Sequence, residues 1–134
     1  MKLLITLAAL TITASAIAAA GPRSATLTIR HATKGCHTWS VDGKSWSATQ
    51  KLTLVRGGLL TIKNIDVMPH TLVQLRGPKA KVAHGSMSHM GAQAFVRFAA
   101  AGKYVFVTKA GEDYMQGVKT TGEDNVLTLK VVVR

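Results

Sequence analysis

The chain has 134 residues, 47% of them hydrophobic, 5% aromatic and 17% charged. That length predicts one domain, and the apolar fraction excludes a disordered chain. Seventeen Lys and Arg against six Asp and Glu give a net charge of +11, which favours anionic partners, while the sparse prolines exclude collagen-like or low-complexity character.

In chain order, Met1-Lys2 supplies one positive charge and Leu3 to Ala18 is uncharged and mostly apolar. Ala18-Ala19-Ala20 then precedes Gly21-Pro22. This layout predicts a secretory signal peptide over residues 1–20. Its apolar run is shorter than the ~20 residues of a spanning helix, so the expectation is cleavage rather than anchoring. Residues 21–134 then form one exported domain, periplasmic or secreted, with no stable membrane insertion. Loss of Lys2 alone lowers its charge to +10.

Strand signals follow at short spacing. Ala25–Arg30, Leu52–Val55, Leu59–Ile65, Thr71–Leu75, Ala94–Phe98, Tyr104–Thr108 and Asn125–Val133 alternate or run apolar, and are bounded by Gly, Pro, Asn or Asp. Seven or eight strands in a domain of this size predict an all-β Greek-key sandwich. Residues 32–50, 76–91 and 109–124 are expected as long irregular connections.

Chemistry-bearing side chains gather in those connections. The histidines are His31, His37, His70, His84 and His89, and Cys36 is the lone cysteine. They form three clusters: His31 with Cys36-His37; Met68-Pro69-His70; and His84 with Met87, His89 and Met90. Imidazole, thiolate and thioether together select copper over calcium or magnesium. Strand direction can bring the clusters together. If 25–30 and 59–65 run upward, 71–75 and the strand from Ala92 run downward and 103–108 rises, then all three clusters and the 109–124 connection meet at one end.

Asn64-Ile65-Asp66-Val67-Met68-Pro69-His70 resembles the N-x-D-x-x-P-H motif of the cupredoxins, the blue-copper proteins. Gly102-Lys103-Tyr104-Val105-Phe106 is similar to the G-x-Y-x-F strand of that family. The resemblance covers about residues 25–134 and implies a cupredoxin-like Greek-key β-sandwich, with His70 as a copper ligand. The chain departs from the pattern after that strand. Residues 107–115 carry neither Cys nor His, and Met115 is the one residue there that could correspond to an axial methionine. The missing ligands are therefore expected from the first connection.

Cys36 is the only thiolate available; its alternative role is that of an inert buried small residue. His31 and His37 both stay open as the second imidazole. Consecutive side chains in extended backbone point oppositely, which counts against Cys36 and His37 sharing an ion unless the chain bends there. Met90 is the first choice of thioether, ahead of Met87, Met68 and Met115. Asn64 and Asp66 are expected to support the site by hydrogen-bonding its loop and orienting His70. Trp39 and Trp46 are expected in the core or at its rim. The metal set is thus His31, Cys36, His37, His70 and Met90, for one copper ion.

Scarce carboxylates and the lack of a Ser-His-Asp arrangement argue against a hydrolytic enzyme. The expected function is a one-electron carrier docking an acidic redox partner or an anionic surface; the alternative is copper storage or delivery through the 84–90 segment. Zinc and a metal-free partner-binding sandwich are further alternatives. Nucleic-acid binding is not expected, because the basic residues form no stripe interleaved with aromatics.

Overall fold

The computed structural model describes residues 21–32, 36–110 and 126–134, and the side chains of these except Ala32, Cys36 and Ala110. The expected leader at 1–20 and Met115 lie outside the described residues.

Among the described residues ten strands form two five-stranded sheets. They are β1 (Ser24–Ala32), β2 (Cys36–Val41), β3 (Thr49–Leu54), β4 (Leu59–Asn64), β5 (His70–Arg76), β6 (Lys81–Ala83), β7 (Ser86–Met87), β8 (Gln93–Arg97), β9 (Gly102–Ala110) and β10 (Val126–Val133). One sheet has the order β2-β1-β4-β8-β6 and the other β3-β10-β9-β5-β7. The all-β, cupredoxin-like sandwich is the expected class. The strands beyond the expected seven or eight come from the connections. Residues 36–41 pair with β1, and two short pieces, β6 and β7, pair with β8 and β5. Their sequences hide this because CHTWSV, KVA and SM are too short or too polar to carry a clear period.

The directions inferred from the sequence hold for the described strands. β1 and β4 are parallel, β8 is antiparallel to β4, and β9 is antiparallel to β5. Alternation then sorts the side chains. Leu27 and Ile29 of β1, Leu60 and Ile62 of β4, Tyr104 and Phe106 of β9, and Leu127 and Leu129 of β10 face inward and are buried. Each such aliphatic side chain contributes about 1.5–3 kcal/mol on burial. Trp39 is fully buried among them, its indole N–H donating to Ala48 O at 3.1 Å. Trp46 instead lies at the rim under the Arg30 guanidinium, 3.8 Å from its ring centre.

The two ends of the sandwich differ in chemistry. At the lower end Phe98 meets Tyr104 and Phe106 edge to face, at centroid distances of 4.9 and 6.0 Å, while Tyr104 and Phe106 are parallel to each other. The Tyr104 hydroxyl donates to Ala100 O at 2.6 Å and fastens the turn before β9. Gly77 closes the same end at φ 102°, where an added Cβ would stand 2.5 Å from Lys103 O and 2.9 Å from Tyr104 Cα. Gly77→Ala is therefore expected to cost more than about 1 kcal/mol, read as a lower urea midpoint. An unchanged midpoint would show that the backbone relaxes there freely. The upper end carries the histidines.

Candidate metal centre

The inward rows of the strands change character as they reach the upper end. In β1 the row runs Leu27, Ile29, His31, and in β2 it enters as His37 before Trp39. In β9 it runs Tyr104, Phe106, Thr108. The most informative row leaves β4. Leu60, Ile62, Asn64, Asp66, Met68, His70 and Leu72 are all buried, and the residues between them are not. The period-two alternation of a strand thus continues through the 65–69 loop, pointing Asp66 and His70 inward while Ile65 and Val67 are exposed.

Pairing then sets the distances. In the β1–β2 ladder His31 stands opposite His37, and Ile65 N–H donates to Ile29 O at 2.9 Å, which holds the exit of β4 beside them. As a result Asp66 lies among three imidazoles. Its Oδ2 accepts from His37 Nδ1 at 2.5 Å and from His70 Nε2 at 3.0 Å. Its Oδ1 accepts from the Met68 amide at 3.2 Å and lies 3.8 Å from His31 Nδ1. The ring centroids of His37 are 5.5 Å from those of His31 and 5.2 Å from those of His70, each pair edge to face. One ligating atom from each of His31, His37 and Asp66 lies within 4.8 Å of the others.

Burial and hydrogen bonding oppose each other at this carboxylate. Loss of water alone would raise its pKa, but hydrogen bonds from His37, His70 and the Met68 amide outweigh that and hold the Asp66 carboxyl well below the usual carboxylate range. Asp66 is therefore an anion, and its neighbours are aimed. The ionised Asp66 carboxylate can only accept, so it takes the Nε2–H of His70, and the Thr108 hydroxyl lies 3.4 Å from the other ring nitrogen, Nδ1. Asn64, fully buried, accepts from Asp66 N–H at 2.9 Å and donates to Met68 O at 2.8 Å and Met87 O at 3.3 Å. It locks the loop that carries Asp66 and His70 to the segment before β8.

Of the residues singled out in the sequence, the structure brings together His31, His37 and His70, so the two candidates for the second imidazole are not exclusive. His37 and His70 are buried, whereas the His31 side chain retains 36% exposure and opens the cluster to solvent. Cys36 lies in β2 with its backbone opposite Ala32, next to His37; its side chain lies outside the described residues. Met90 is 56% exposed, while Met87 is fully buried and pairs with His70 across the β5–β7 ladder. Asp66 does more than support a loop, since its carboxylate is the centre on which the imidazoles converge. The signal for this was its place in the inward row between Asn64 and His70. The Thr108 contact had no local signal.

Chemically, three imidazoles and a carboxylate suit a borderline divalent ion such as Cu(II) or Zn(II). Placing a full anion where two N–H groups converge is also what an apo site does when protons stand in for the metal.

No family model matches the chain, and no curated protein matches it in sequence. Solved structures similar to it in outline include a Cu(I) form of an amicyanin mutant, at 18% identity over 80% of each chain and a TM-score of 0.42. A multicopper oxidase from Campylobacter jejuni is 20% identical over 83% of this chain, with a TM-score of 0.47. The chain spans 25% of that oxidase. A cysteine protease inhibitor from Entamoeba histolytica is 12% identical over 85% of this chain and all of its own, with a TM-score of 0.44. A fold does not by itself fix a function, so function is argued from the site.

Proposed function

We propose that this chain is an exported copper protein that holds one ion at the upper end of the sandwich and passes single electrons, a carrier rather than an enzyme. The observation that supports it is the convergence of His31, His37 and His70 on the buried carboxylate of Asp66. The three histidines would hold the ion with Asp66 beside them, and Cys36, adjacent to His37, is the candidate thiolate. Copper bound there would supply a one-electron couple. The chain's own residues supply preorganisation: Asn64 fixes the loop, the Thr108 hydroxyl stands beside Nδ1 of His70 where it can accept from a proton held there when Nε2 ligates, and burial of His37 and His70 keeps water from all but the His31 side. The imidazole protons now directed at Asp66 must leave for those nitrogens to ligate, so affinity is expected to fall as pH is lowered.

Copper storage or delivery is the second reading. It is favoured by the exposure of Met90 and of His31, which gives an ion a way in and out. One titration separates the two. The protein is loaded with Cu(II), and its metal content, absorption and electron paramagnetic resonance are recorded for wild type, His37→Ala and Cys36→Ser. A carrier is expected to bind one copper per chain with an intense thiolate-to-copper band that Cys36→Ser abolishes. Weak absorption that is indifferent to Cys36→Ser assigns the delivery reading. His37→Ala is expected to weaken binding about 10–100-fold in either case. A wild-type protein that takes up no copper would sink both.

A further inference from the structure

The outer face of the second sheet is basic, set with valines and threonines, and without a described partner. Lys130 of β10 stands directly opposite Lys51 of β3, and both side chains are exposed. Neighbouring like charges repel, and no opposite charge is ion-paired with either lysine among the described residues. Lys103 and Lys109 of β9 lie on the same face, opposite Val132 and Val126, and Arg76 of β5 is opposite Val105. Among the described residues no carboxylate offsets these five cations. Asp42 follows β2 of the other sheet, where it accepts from Thr26 N–H at 2.9 Å, and Asp66 is buried among the histidines.

Between the cations the surface carries valines and threonines, among them Thr53, Thr128, Val105 and Val132. Val105 and Val132 line a shallow groove of about 470 Å³ across β3, β10 and β9, bounded by Lys51, Lys103 and Lys130. Farther along, Val107 stands opposite Val73, which is 48% exposed.

From this arrangement we propose that the face formed by β3, β10, β9 and β5 docks on the surface of an anionic phospholipid bilayer. The cations are spread over four strands rather than gathered into a pocket, which matches a diffuse sheet of headgroup charge. Four of the five are Lys, and among the described residues the face carries no aromatic side chain, since Tyr104 and Phe106 point into the core. Protein-binding patches have the opposite bias, rich in Tyr, Trp and Arg and poor in Lys. Long Lys stems lie along apolar surface while their ammonium groups reach outward, so the valines meet the interface as the charges meet the lipid phosphates. The face is independent of the histidine cluster.

The test is cosedimentation of the full chain with vesicles of phosphatidylglycerol and phosphatidylcholine, and with vesicles of phosphatidylcholine alone. Binding is expected only to the anionic vesicles, and is expected to fall as salt rises. Lys51→Glu with Lys130→Glu should weaken it at least about tenfold. Lys103→Glu with Lys109→Glu should do the same, which keeps the test intact if one variant fails to fold. Lys63→Glu with Lys81→Glu makes the same charge change on the other sheet and should leave binding within about twofold. Equal losses in all three double variants would reduce the effect to net charge and overturn the proposal. So would equal binding to neutral vesicles, which would point to the apolar residues at 1–20, or no binding to vesicles at all, which would leave the face to an acidic protein.

Discussion

Replacing Asp66 with Asn is expected to lower copper affinity about a hundredfold and to flatten the acid limb of the stability curve of the metal-free protein. The first effect follows from position. Asp66 is the anion that His37 and His70 both contact, at 2.5 and 3.0 Å, and that His31 approaches to 3.8 Å. A neutral amide offers no charge to a divalent ion, and turns an N–H donor towards an imidazole that also donates. The second effect follows from linkage. The folded carboxyl titrates below the ~3.9 of a free aspartate because its hydrogen bonds outweigh its burial. Its contribution to stability is therefore complete at pH values above that ordinary value. It is lost as pH falls from there towards the folded value, because the unfolded chain takes up the proton first. Urea midpoints measured from pH 2 to pH 7 for wild type and Asp66→Asn should stay a constant distance apart above about pH 5 and draw together as pH falls from about 4 towards 2. Parallel curves would mean that the three contacts to the carboxylate contribute nothing net.

Removing the Asn64 side chain is expected to be costly without touching an imidazole. Asn64→Ala leaves Asp66 N–H without its acceptor and Met68 O and Met87 O without a donor, all at the buried end of the core. A buried polar group left unpaired costs about 1–3 kcal/mol. The sum is on the order of 3–5 kcal/mol, a large part of the ~5–15 kcal/mol that holds a native domain. Because Asn64 joins the 65–69 loop to the segment before β8, metal affinity should fall along with stability. Chemical unfolding followed by copper titration of the surviving fold measures both. A stability loss under about 1 kcal/mol would show that water replaces the amide, and that the loop holds its shape by other means.

Much of this was legible in the residues, for local reasons. Alternation assigns side chains to the two faces of a strand, so Leu60–Ile62, Tyr104–Phe106 and Leu127–Leu129 announced themselves as core. The N-x-D-x-x-P-H segment and the histidines at 31 and 37 marked one end of the sandwich as the site. Chain direction placed β1, β4, β5, β8 and β9 correctly because each turn reverses the chain and the long connections were few. The strand over 36–41 was missed, since its polar residues Thr38 and Ser40 are buried against the expectation that inward positions are apolar. The residues around Asp66 mark it only as a support for the loop, because a loop carries no expected period. The structure continues the strand period straight through that loop and turns the carboxylate inward.

The residues alone determined the all-β class, the basic surplus and the donor types, all of which follow from composition and from neighbours along the chain. Only tertiary structure decided that His31 meets His37, that Asp66 is shared between His37 and His70, and that Lys51 faces Lys130. Those are matters of register between strands distant in sequence. A shift of one residue would turn every one of those side chains to the other face, and nothing short of the packed core selects against it.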